Sequence, residues 1–156
     1  MNDTLGNQDL LVDAAFRGDL TRVKDLIAAG VDVNADGTNW NPLHAAVENM
    51  EEEAVRFLLE AGADPNHMCW GCPPLHHAID IEIDAVHQSL QRTPTPEELP
   101  DPSITRILLA HGADAELRDS CGETPHTFAF RRGHHLAAKL LLEWKNAEPG
   151  QSSELL

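Results

Sequence analysis

Tyrosine is absent from this chain, and aromatics of any kind are scarce: three Trp and four Phe in 156 residues. A thick globular core usually draws on more of them, so the shortage points to thin layers filled by Leu, Ala and Val. Cysteine is limited to Cys69, Cys72 and Cys121, too few and odd in number for a disulfide framework. That suits a reducing, cytoplasmic location. Positive charge is also short: 11 Lys and Arg stand against 26 Asp and Glu, a formal net charge of -15. Nucleic-acid phosphates and anionic membranes repel such a chain, so neither is expected as a partner. No apolar run approaches the ~18 residues of a membrane span. The first residues, Met1 to Asp9, have neither the basic nor the apolar stretch of a signal peptide.

What the chain does have is self-similarity. Asn41-Pro42-Leu43-His44 returns as Pro73-Pro74-Leu75-His76, and in degraded form as Thr124-Pro125-His126-Thr127. A second landmark, Gly30-Val31-Asp32-Val33-Asn34, returns as Gly62-Ala63-Asp64-Pro65-Asn66 and as Gly112-Ala113-Asp114-Ala115-Glu116. Pro42 to Pro74 and Gly30 to Gly62 are both 32 residues apart, a spacing that marks stacked repeats. Proline suits the first helical turn, where its missing N–H costs nothing. Val55, Leu58 and Leu59 form an apolar stripe at helical spacing, matched by Val23, Leu26, Ile27 and by Ala138, Leu141, Leu142. The glycines end those helices, and Asp32, Asp64 and Asp114 suit the turn that follows.

These boxes and turns resemble the ankyrin repeat, over roughly residues 8–146. The resemblance implies an all-α solenoid of four helix-turn-helix repeats with projecting finger loops. The repeats fall at about 8–37, 38–69, 70–119 and 120–148, between unstructured ends at 1–7 and 149–156. The first copy lacks the box, reading Leu11-Val12-Asp13, and the fourth lacks the closing glycine, as capping repeats with a wet outer face do. Repeat three departs most. Pro74 to Leu108 is 34 residues, where Pro42 to Leu58 and Pro125 to Leu141 are 16, which leaves an 18-residue insertion. Its first part, Ile79 to Gln91, can continue a helix. Its second, Arg92 to Pro102, is punctuated by proline and cannot.

Acid is concentrated in residues 36–102, where 13 Asp and Glu face two Arg. Repeats two and three with the insertion therefore carry most of the field, and a basic protein is the partner that field attracts. In ankyrin proteins the fingers and the first helix of each repeat form the concave surface that holds the partner. Carried onto this sequence, the resemblance implies a surface with Asp36, Asn39 and Trp40 on one finger and His67, Met68 and Trp70 on the next. Glu48, Asn49, Glu51, Asp80, Ile81, Glu82, Asp84 and Arg131 extend it along the helices. Trp40 and Trp70 are the expected anchors, because finger tips have little core to bury an indole. The working face is thus expected on repeats two and three.

Chemistry finds little purchase. Cys69 and Cys72 in C-x2-C spacing, with His67 nearby, form half of a zinc pattern, but the second pair is missing. His76 belongs to the repeat box. No nucleophile has a partner arrangement and no phosphate-binding glycine loop is present. The expectation is a binder that uses no metal, cofactor or catalytic step and is a monomer when free. Small free-standing bacterial ankyrin proteins, which this chain resembles in build, include immunity proteins that neutralise a toxin. That implies occlusion of a basic toxin, with an adaptor serving several partners as the alternative and a zinc-binding or redox-regulated module, on Cys69 and Cys72, as the remaining one.

Overall fold

The computed structural model describes residues 3–90, 92 and 94–147. Among them lie eight α-helices: α1 (Asp3–Phe16), α2 (Leu20–Ala28), α3 (Pro42–Glu48), α4 (Glu52–Glu60), α5 (Pro74–Leu90), α6 (Ser103–Ala110), α7 (Pro125–Arg132) and α8 (His135–Asn146). They pair as four antiparallel hairpins. The first helices α1, α3, α5 and α7 pack in one row, and α2, α4 and α6 in a second. The all-α repeat stack expected from the sequence is therefore present.

Local chemistry sets each boundary. The side chains of Asp19 and Asn41 accept the N–H of Arg22 and His44, which caps α2 and α3. Thr124 and Thr127 cap α7 reciprocally. At the other ends, Gly62 follows α4 at φ 97°, a left-handed value that any side chain would strain, and its copies Gly30 and Gly112 do the same. Between the rows, Leu43, Leu58, Leu75, Ile79, Leu108 and Leu141 are almost wholly buried. Ala45, Ala46 and Ala78 keep the first row thin, so adjacent helices lie close.

Polar contacts fix the stacking register. The Asn34 amide donates to Gly62 O at 3.0 Å and accepts from Asp64 N at 2.7 Å. Asn66 repeats both bonds with Gly112 O and Asp114 N, at 3.3 and 2.8 Å. Glu116 fills the same slot in repeat three and turns instead to Lys145, 3.0 Å away. The box histidines add a second ladder. His44 Nε2–H donates to Cys72 O and His76 Nε2–H to Glu123 O, both at 2.9 Å, so each histidine holds the finger of the next repeat.

The ends differ from expectation at one point. Helix α1 begins at Asp3, so residues 3–7 are helical rather than unstructured, and Gln8 is held inside by a bond from its Nε2 to Ala35 O. Residues 1–2 and the expected tail at 149–156 lie outside the described residues. In the insertion, α5 continues to Leu90 as its composition allows. Among its described residues the proline-rich remainder is a loop with a 3-10 turn at Pro96–Glu98. Arg92 and Glu98 pair across it at 2.6 and 2.9 Å, and the bonds from Arg92 first and Thr95 N second hold the Glu98 carboxyl down at about 2.

Candidate protein-binding surface

The second finger is a two-residue hairpin. Cys69 and Cys72 exchange both backbone bonds, at 3.1 and 2.9 Å. Trp70 at φ 54° and Gly71 at φ 76° form the turn between them, and both must be left-handed for so tight a reversal to close. Glycine takes that conformation freely, whereas tryptophan does so under strain. The consequence is exposure: Trp70 is 81% accessible at the tip. It is nonetheless held, because its Nε1–H donates to Asn39 O of the first finger at 2.5 Å. His67 Nε2–H donates to Asp36 across the same gap at 3.0 Å. The third finger joins from the other side, Ser120 N donating to Gly71 O at 2.9 Å.

Asp36, Asn39, Met68 and Trp70 therefore share one crevice between fingers, with Met68 also exposed. Trp40 is different. It is half buried and lies edge-on to His77, ring centroids 4.9 Å apart, so it lines the surface rather than projecting from it.

On the helices the outcome is mixed. Glu48 is half buried at the end of α3, with Oε2 3.0 Å from His77 Nε2. That contact favours an imidazolium, but burial and neighbouring His44 weigh more and hold His77 at about 4. Burial, and Asp80 beyond it, also raise the Glu48 carboxyl. Asn49 turns its amide to Glu51 at 2.9 Å, just outside the groove described below. Ile81 is half buried on α5. Asp80 and Asp84 are not a free acidic stripe: Arg132 reaches both, at 2.5 and 2.6 Å, although burial still raises Asp80. Arg131 stands at the far end of the stack, closed onto Glu123 by three contacts of 2.6 to 3.0 Å.

Glu82 corrects the sequence reading outright. It is fully buried and touches no partner surface. Its carboxylate accepts from Ile104 N, Thr105 N and Thr105 Oγ1 at 2.8, 3.0 and 2.7 Å. It thereby caps α6, whose own N-cap position is Pro102, which supplies no side-chain cap. The sequence signal existed: Leu75, Ala78, Ile79, Glu82 and Ile83 share one helical face, and that face is the buried one.

The half-zinc pattern has a structural use. Cys69 and Cys72 are the paired residues of the finger hairpin, and burial raises both thiols, Cys72 to about 11. A thiolate, the form that binds metal, is disfavoured at both. Among the described residues no three His, Cys, Asp or Glu side chains gather as a metal site.

Sequence reasoning also missed a groove on repeats one and two. It lies between α1 and α3 under the first finger, about 570 Å³ in volume, lined by Asp9, Val12, Asp13, Phe16, Thr38, Asn39, Trp40, Ala45 and Glu48. The first repeat lacks the box, so its helix carried no landmark. This groove thus lies on repeats one and two, beside the crevice that the fingers form. Among the described residues no helix is long and apolar enough to cross a membrane.

Comparison with known proteins agrees with this architecture. A profile described as "Ankyrin repeats (3 copies)" matches residues 11–88. BRCA1-associated RING domain protein 1 of Caenorhabditis elegans is 29% identical over 81% of this chain and 16% of its own length. The 2-5A-dependent ribonuclease of Mus musculus is 43% identical over 36% of this chain and 8% of its own. Ankyrin repeat domain-containing protein 40 of the same species is 39% identical over 36% and 16%. The chain thus spans only a small part of the curated relatives it matches. Four stacked helix pairs, fingers tied by box histidines and the matching profile place this chain in the ankyrin-repeat family, and its stack is a protein–protein interaction module.

Proposed function

We propose that this module binds a basic protein partner, without chemistry of its own, through its first two fingers and the concave groove beneath them. The observation that carries the reading is Trp70. A large aromatic, 81% exposed, is held at a strained tip by the neighbouring finger. Such a side chain loses little freedom on binding and buries much area, which is the profile of an interface anchor. The charge of the partner follows from the net charge of -15 and from the carboxylates of Asp9, Asp13, Asp36 and Glu48 around the groove and crevice.

A finer form of the reading is neutralisation of a basic toxin by occlusion, the role of an immunity protein. It entails one tight partner, whereas an adaptor would hold several. Capture on the immobilised chain, followed by mass spectrometry, tests both. The expected result is a single basic protein, bound one to one, whose association slows as salt rises. Acidic partners only, or an association rate indifferent to salt, would refute the proposal.

A further inference from the structure

We infer that the groove between α1 and α3 receives an arginine-bearing apolar segment of the partner, its guanidinium against Glu48 and Asp13 and its neighbours on Phe16 and Trp40. This rests on the proposed binding of a basic protein and names the chemistry of its contact.

The groove is an apolar floor with an acidic rim. Val12, Phe16, Trp40 and Ala45 supply the floor, and Asp9, Asp13 and Glu48 the rim. Phe16, the last residue of α1, is 41% exposed. An apolar ring left open at a concave site is an area for another molecule to cover.

Charge selects what covers it. Asp9 is satisfied by Thr38, through its N–H at 2.7 Å and its hydroxyl at 2.9 and 2.8 Å, so its charge is kept rather than neutralised. Asp13 pairs with Arg17, but both side chains are more than half exposed and their bond is weak. Glu48 has only an imidazole close by, and burial keeps that ring neutral at ordinary pH. Three carboxylates thus rim the groove, and among the described residues the cation paired with one of them, Arg17 on Asp13, is exposed. Glu48 in particular is an acid already penalised by burial, and an incoming cation relieves that penalty.

Arginine fits better than lysine. Its planar guanidinium can bond two carboxylates and lie on an aromatic ring at once, and it is less strongly hydrated than an ammonium. The apolar floor asks for side chains beside it, which excludes a purely polar basic tail as the preferred occupant.

The test uses the full chain and a hexapeptide of alternating leucine and arginine, with citrulline and lysine versions as controls, followed by amide and indole NMR shifts. The arginine peptide is expected to shift Val12, Phe16, Ala45 and the Trp40 indole. The citrulline peptide should bind at least about tenfold more weakly, since a charge-assisted contact is lost. Glu48→Gln should weaken the arginine peptide by about tenfold as well, more than one charge among many can do by field alone. Phe16→Ser, at an exposed position, should weaken it while leaving the fold intact. Equal affinity for the citrulline peptide, or shifts that map elsewhere, would overturn the inference. Trp70→Ala separates the two readings, because it should spare the hexapeptide. A groove that ignores the arginine peptide while Trp70-dependent capture persists would remove this inference alone.

Discussion

Trp70 occupies a backbone position that two-residue hairpin turns give to asparagine or glycine. Its φ of 54° costs of order 1 kcal/mol, and the bond to Asn39 O returns a similar amount. Replacing it with glycine removes both terms. Trp70→Gly is therefore expected to leave the unfolding free energy measured in urea within about 1 kcal/mol of the parent, although a large, 81% exposed side chain has gone. A loss of several kcal/mol would mean that the indole is structural and not an anchor. The sequence marked Trp70 as a finger residue from its place before a repeat box. It did not show that the C-x2-C pair around it closes a hairpin. Cysteines at that spacing suggest metal more readily than a turn, and no Asn-Gly or Asp-Gly signal stands between them.

At the scale of elements, the insertion is where sequence and structure part. The repeat period located it, and the prolines located its loop. What the period left unseen was how a helix resumes after the interruption. Helix α6 starts behind Pro102 with no cap of its own, and Glu82 on the lengthened α5, 22 residues before the Ile104 N–H it accepts from, supplies one. Glu82 also lies 3.4 Å from the buried His134 at the start of α8, so one carboxylate sits where repeats three and four meet. Glu82→Ala would strand two backbone N–H groups and a hydroxyl without water. The expected cost is about 3–5 kcal/mol in urea unfolding. An acid on an exposed stripe, as Glu82 was first read, would change stability by less than about 0.5 kcal/mol. Asp80 and Asp84, read the same way, are instead shared by Arg132 from the next repeat. A pairing that crosses 48 residues has no local sequence signal.

Across the whole molecule, stacking and pH are linked through the box histidines and the neighbouring His77. Burial holds His44 and His77 at about 4, below the ordinary 6.5, and lowers His76 in the same direction. The unfolded chain takes up protons near pH 6.5 that the folded chain refuses until about pH 4. Stability is therefore expected to be level above pH 7 as far as these groups decide it. It should fall through the window from 6.5 to 4, by about 2 kcal/mol per pH unit at the steepest. Urea midpoints measured across that window check the slope, and His77→Gln should remove part of it. A stack that gained stability on acidification to pH 5 would contradict the neutral, buried state of these rings.

The whole-molecule account comes down to a surface with one anchor. Fold, repeat number and finger positions were legible because a 32-residue period repeats its landmarks. The shape of the surface was not, because it depends on which acids find partners inside the protein. Calorimetric titration of the captured partner into the parent chain and into Trp70→Ala is the most direct measurement. The account predicts a loss of affinity of about 30-fold or more, the effect of removing a central aromatic anchor, with folding unchanged. Equal affinity in the two titrations would contradict it.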